Sequence, residues 1–359
     1  MKGRRSALAG FGVALAMSLA LSPARATPGF WQRAREPGAA RQQLVLNRIE
    51  RLLGSVGLPE FGPELSAGAI ALSQLEQIRW PCLASDPHGS IAANAPATTA
   101  QNGFKLDPRL EYLIGSALVD SNTHREAEAR CVLEQALRDA PGSPLAAHGL
   151  ADLAIAAAKL GDRAAEHAAY VRALDLTWEP DARANLFANL AESDMALGDL
   201  PRAIREYRSA LLGSQQPDLA AGAYFGLAVA LDRAGDLPSA LDAAKRAVSI
   251  QLSPTVYPVA SVLDLPNVFF TPSYEIHYYK ALGALATAQL AKDDPARRDA
   301  LDEAVEEWTA YRLLGEIDHA PWVQRAALHQ ASAERQLAEV NSRLPKKPAL
   351  SSDAGEPLL

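Results

Sequence analysis

Three stretches of this chain repeat one pattern at a fixed distance. "GDRAAEHAAYVRAL" begins at Gly161, "GDLPRAIREYRSAL" at Gly198 and "GDLPSALDAAKRAV" at Gly235, each 37 residues after the one before. The period also holds column by column over four units. Leu113, Leu150, Phe187 and Tyr224 are in register, as are Ala117, Ala154, Ala191 and Ala228, and again Ala136, Ala173, Ala210 and Ala247. Leu137, Leu174, Leu211 and Val248 follow one place later. Within a unit the apolar and small residues fall three or four apart, as at Leu150, Leu153, Ala154 and Ala157, then at Tyr170, Ala173 and Leu174. That is the spacing of amphipathic helices, so each unit is expected to be two of them. The Gly-Asp pair between them supplies a residue that ends the first helix in the left-handed conformation. Pro201 and Pro238 then stand where a second helix begins and no backbone donor is needed. The first unit has "NTHRE" in place of that turn. Ala129, Ala203 and Ala240 mark a close approach of the paired helices, and Glu166 breaks that column with Ala165 beside it. One hairpin cannot bury its own apolar face, so the expected product is a stack of hairpins with a continuous core between neighbours.

These residues resemble the tetratricopeptide repeat (TPR), whose pattern runs from a large residue through Leu-Gly and an aromatic to Ala, an aromatic and Ala. Here it reads Leu150, Leu153-Ala154, Gly161, Tyr170, Ala173, and again Phe187, Leu190-Ala191, Gly198, Ala203, Tyr207, Ala210. The match covers roughly residues 110 to 251. The resemblance implies an all-α, right-handed solenoid of stacked hairpins, with extra helices at both ends. The family unit is about 34 residues long, and the surplus here falls between units, in "DLTWEPD" and "LGSQQPD". Asp181 and Asp218, in register after Pro180 and Pro217, are expected to be helix N-caps. A longer turn between units would change the superhelix pitch.

In that family the first helix of each unit lines the concave face. Carried over, the contacting positions are Ile114, Ala151, Ala188 and Phe225, then Leu118, Ile155, Glu192 and Val229. Seven of the eight are apolar and the eighth is an acid. That argues against gripping an acidic C-terminal tail and for receiving the apolar stripe of an amphipathic helix. Such a helix is expected either from another protein or from this chain's own "AARQQLVLNRIERLL".

Residues 1–26 read as a cleavable export signal: Lys2, Arg4 and Arg5, an apolar run from Ala7 to Leu21, and Ala24-Arg25-Ala26 before the cut. The run is too short to span a bilayer comfortably. The expected destination is the periplasm or cell envelope of a bacterium, or secretion. Losing four positive charges with the signal takes the net charge from −7 to −11, which argues against nucleic-acid or anionic-membrane partners. Cys82 and Cys131, the two cysteines of an exported chain, are expected to pair, with two free thiols as the alternative.

Residues 27–81 are expected to be a helical extension, 82–107 a flexible connection, and 108–252 the four units. Residues 253–273 hold Pro254, Pro258, Pro266 and Pro272 among aromatics. They are expected either to fold over the end of the stack or to form a lid or docking surface. A degenerate fifth pair and a capping helix should fill 274–344, and 345–359 should be a disordered tail.

No catalytic motif is present: no HExxH, no GxSxG, no phosphate-binding glycine loop and no cysteine pair with zinc spacing. His124, His148 and His167 are expected to be solvated or capping residues, and Glu275 to favour a helix N-terminus. No cofactor, metal or enzymatic activity is expected. The sequence supports an exported scaffold that binds a protein partner, or alternatively a structural subunit of a larger envelope assembly.

Overall fold

The computed structural model describes residues 108–120, 125–251, 261–265 and 268–344. The expected export signal, N-terminal helices, Cys82, the flexible connection, His124 and the tail lie outside these residues. Eleven α-helices occur among the described residues. The first eight are α1 (Pro108–Asp120), α2 (Glu126–Asp139), α3 (Ala146–Lys159), α4 (Arg163–Leu176), α5 (Pro180–Ala196), α6 (Leu200–Gly213), α7 (Pro217–Arg233) and α8 (Leu237–Gln251). A 3-10 turn at Val262–Asp264 follows, then α9 (Glu275–Leu290), α10 (Asp294–Ile317) and α11 (Val323–Arg343). Each helix packs most heavily on its neighbour in the chain, so the molecule is a stack of helical hairpins, an all-α solenoid. The first helices also touch one another directly, α1 on α3, α5 on α7 and α7 on α9. This places them on the inner side of the array.

The Gly-Asp turns do what the sequence requires of them. Gly161, Gly198 and Gly235 have φ of 78°, 88° and 99°, a region in which a side chain would clash with its own backbone. Behind each glycine, the amide of the following aspartate reaches back to the helix: Asp162 to the Ala157 carbonyl, Asp199 to Asp194 and Asp236 to Leu231, all at 2.9 Å. The same three aspartates then cap the second helix, each accepting from a backbone amide three residues on (Ala165, Arg202 and Ser239) at 3.1 Å. One dipeptide therefore closes one helix and opens the next. Ala136, Ala173, Ala210 and Ala247 are fully buried, as are Ala129, Ala203 and Ala240.

The turns between hairpins correct one expectation. Asp181 and Asp218 are not caps. Glu179 and Gln216 hold the N-cap positions, Pro180 and Pro217 are the first helical residues, and the two aspartates lie in the first turn. Proline takes the first position because its ring presets φ and no donor is lost there. Asp181 instead reaches the next inter-hairpin turn, accepting from the Gln215 amide at 3.0 Å and from Gln216 Nε2 at 3.4 Å. Arg183 closes the end of α4 by donating to the Leu174 and Thr177 carbonyls at 2.7 and 2.6 Å. The surplus residues are thus tied down by side chains of α5, Arg183 holding the turn before its unit and Asp181 the turn after it.

The core has two parts that meet on α5. One runs from Tyr112 to Leu190, the other from Ala191 to Val340, and Phe187 packs against both. The second part is sealed by α9 to α11, where Tyr278, Leu282, Trp308 and Tyr311 are fully buried. Tyr278 packs edge-on against Trp308 and Tyr311, with ring centres 4.7 and 5.0 Å apart.

Cys131 is 2% exposed on α2 and is disulfide-bonded. A bridge to Cys82 would close a loop of about 50 residues and stabilise the fold by about 4 kcal/mol in the chain-entropy picture. Alkylating the denatured protein without reductant is expected to add no label, and alkylating after reduction two. Two labels before reduction would exclude the bridge.

Candidate functional site

The eight inner-face positions do not form an open apolar groove. Phe225 and Val229 are 3% and 0% exposed. They belong to the second core, with Phe225 lying so close to α9 that a Cβ on Gly283 would sit 3.0 Å from its ring. The chain's own C-terminal helices occupy the space that the repeat pattern alone would leave for a partner. Ile114 and Leu118 are each 2% exposed within the first core. Ala151, Ile155 and Ala188 are half-buried against the two cores. Glu192 is the exception, because it opens into a cavity.

That cavity, about 440 Å³, lies where the two cores meet. Its floor is α5, which contributes Asn189, Glu192 and Ala196, and α4 contributes Arg163, Glu166 and Tyr170. Arg233 enters from the end of α7 and Glu275 from the first residue of α9. Trp322 closes one side and residues 269–272 the roof.

The roof belongs to the segment between α8 and α9, which divides its tasks. The Val262–Asp264 turn packs on α7 and α9 with Leu263 buried in the second core. Residues 268–274 instead run back over the inner face. Arg163 donates to the Thr271 carbonyl across 108 positions of sequence, and the Lys159 ammonium lies 5.5 Å from the centre of the Phe269 ring. Phe270 rests edge-on against Tyr279 at 5.0 Å, and the Thr271-Pro272 bond is cis.

The charges in the cavity are arranged in pairs, with one left over. Arg163 binds Glu166 at 2.8 Å. Arg233, its side chain 5% exposed, donates through Nη2 to Glu275 and is stacked between Tyr278 and Trp322, 4.8 and 5.5 Å from the ring centres. Burial opposes the charge on Arg233, but Glu275 beside it more than offsets this and keeps the guanidinium protonated. Its Nε has no hydrogen-bond partner among the described residues. No cation among the described residues touches Glu192, and Arg233 acts on it from farther off. One of its oxygens accepts from both Tyr207 and Tyr279, the latter at 2.6 Å. Burial raises the Glu192 carboxyl above the usual carboxylate range, with the two tyrosine hydroxyls and the charge of nearby Arg233 pulling the other way. Burial likewise raises Glu166 against the pull of Arg163.

A second polar cluster is centred on a fully buried carboxylate, with Arg325 at its solvent-facing edge. Asp232, 0% exposed, accepts from the Tyr278 hydroxyl at 2.5 Å, from Arg325 through two bonds of 3.0 Å, and lies 3.0 Å from His329 Nε2. It ties α7, α9 and α11 together.

The remaining titratable candidates are structural. His148 is exposed and lies 3.3 Å from Asp152, and His167 lies 3.1 Å from Asp194; neither caps a helix. His277 lies 2.6 Å from Glu307. Glu275 does open a helix, and it also faces the cavity. Among the described residues no group of His, Cys, Asp and Glu is placed to hold a metal ion, and no helix is long and apolar enough to cross a membrane.

Sequence reasoning missed the cavity, although two signals of it were present. Glu166 is the one acid in the column of Ala129, Ala203 and Ala240, and Glu192 the one acid in the column of Leu118, Ile155 and Val229. Both breaks in the apolar register converge on the same cavity.

No family model matches the chain, and no curated protein matches it. Among solved structures, one described as the crystal structure of the APC/C hetero-tetramer Cut9-Hcn1 is similar at a TM-score of 0.43 and 14% identity, over 85% of this chain and 54% of that one. The chain thus spans about half the length of that relative.

Proposed function

We propose that this chain is an exported scaffold that binds a protein partner on the inner side of its helical stack. The observation that carries the reading is the cavity at the seam of the two cores. It is roofed by a segment crossing the inner face, and its Glu192 carboxyl touches no cation among the described residues. The site differs from the one the repeat pattern implied. An amphipathic helix has no open apolar groove at Phe225 and Val229 to enter, so the partner is expected at the cavity and its rim. A charge at Phe225 would disrupt the core and report on folding alone, which makes exposed Ala196 the better position for a probe.

The alternative, a structural subunit of an envelope assembly, draws on a different surface. Leu313, Ile317 and Leu328 are 62%, 74% and 73% exposed on α10 and α11, and side chains of this size left in water favour a covered interface. Tagged protein recovered from its native envelope, with partners identified by mass spectrometry, separates the two readings. A scaffold is expected to lose its partner on Ala196→Trp and keep it on Ile317→Ser with Leu328→Ser. The opposite pattern would support the structural subunit, and unchanged recovery in both variants would overturn the scaffold reading.

A further inference from the structure

We infer that the cavity between α4, α5 and the 268–274 segment is a binding site for a single organic cation, a primary ammonium or guanidinium group held by Glu192 between aromatic walls. The inference deepens the scaffold reading by naming the chemistry that a partner would insert. It rests on that reading only for the cation's source.

Charge pairing is the first part of the argument. Five carboxyl or guanidinium side chains face the cavity, three acids and two arginines, and the arginines are already committed to Glu166 and Glu275. Glu192 remains, and its neighbours are two tyrosine hydroxyls on one oxygen. Charges enclosed in protein are ordinarily paired, because an isolated one loses its hydration without compensation. Glu192 is surrounded by protein and keeps part of its surface, which lies in the cavity, so its second oxygen is offered to whatever enters there. The pairs on either side make an anion a poor occupant, since it would have to displace Glu166 or Glu275 from its arginine.

The walls supply the second part. Tyr170, Phe270, Tyr274 and Trp322 line the same space, and aromatic faces attract cations through the negative potential above the ring. Asn189 adds an amide with no hydrogen bond to other described residues. A volume of about 440 Å³ falls within the usual range for small-ligand sites, roughly 300–1,000 Å³. It accommodates a lysine or arginine side chain with the backbone that carries it, or a free alkylamine.

The test uses the full exported chain and four probes read by calorimetry and by the emission of Trp322: n-butylammonium, methylguanidinium, and the acetylated, amidated tripeptides Ala-Arg-Ala and Ala-Gln-Ala. Butanol and methylurea are the neutral controls. Wild-type protein is expected to bind the cationic probes at least about tenfold more tightly than their neutral counterparts, and Glu192→Gln to remove that preference. Ala196→Trp, which fills the cavity mouth and leaves the carboxylate in place, should abolish binding even if Glu192→Gln folds poorly. Binding by the small cations alone assigns the site to free amines, whereas binding by the arginine peptide alone assigns it to a partner's side chain. Equal affinity for charged and neutral probes, no binding at millimolar concentration, or undiminished cation binding in both variants would overturn the inference. If the probes bind and no protein partner is recovered, the cation site stands and the scaffold reading falls.

Discussion

Asp232→Ala is expected to destabilise the protein by about 3–5 kcal/mol, the usual cost of removing one member of a buried charge cluster. The carboxylate holds Tyr278, Arg325 and His329 together from three helices. Without it, the buried Tyr278 hydroxyl and His329 ring lose their partner inside the packing of α7, α9 and α11, and the partly exposed Arg325 loses its own. Asp232→Asn, which keeps the volume and part of the hydrogen bonding, should cost less. Denaturant unfolding followed by far-UV circular dichroism measures both, and a loss below about 1 kcal/mol for Asp232→Ala, the range of an exposed pair, would show that the cluster does not hold the C-terminal helices. The cluster also fixes a direction with pH. Burial raises the Asp232 carboxyl, but His329, Arg325 and Tyr278 more than reverse this and bring it to about 2, below its usual 3.8. An acid depressed in the folded state binds fewer protons there than in the unfolded chain. Its contribution is therefore complete above its unfolded value and is lost as pH falls through that value towards about 2. In the Asp232→Asn variant this part of the acid sensitivity should vanish.

Gly226→Ala is expected to cost about 3 kcal/mol, the upper part of the range for overpacking a core. A Cβ at position 226 would lie 2.2 Å from Cζ of Tyr207 and 2.4 Å from its hydroxyl oxygen. That ring has little freedom to move, being 1% exposed with its hydroxyl bonded to Glu192. The substitution would therefore push α6 from α7 and disturb the cavity carboxylate together. Gly222→Ala, four residues earlier on the same helix with nothing within 4 Å of its new methyl, is the control. It should stabilise by up to about 1 kcal/mol, since alanine is the better helix former. Similar unfolding midpoints for the two variants would mean that the close approach at Gly226 is not rigid.

Local signals in the sequence carried the architecture because each of them acts over a few residues. Gly161, Gly198 and Gly235 take the left-handed conformation that few other residues tolerate, and the aspartate after each needs only the next turn of helix to cap. The alanine columns work because closely packed helices leave no room for more. Asp181 shows the limit of such reasoning: its composition suits a cap, but its partner lies 34 residues away, and proline had the stronger claim on the helix start.

The repeated hairpin, with its two helices, its turn and the small residues at its contact, is written in local residue order. Which inner-face positions remain open is set by long-range packing. Phe225 and Val229 carry the same pattern as their counterparts in other units, yet they are covered because α9 continues the stack over them. The path of residues 268–274 back to Lys159 and Arg163 is set by contacts 108 residues apart, and no periodicity encodes those. Glu192 stood out as a lone acid in an apolar column, but its meaning depended on what faced it. Enclosure raises its carboxyl, the two tyrosine hydroxyls and the nearby charge of Arg233 pull the other way, and these effects exist only once five separate segments have closed around one space.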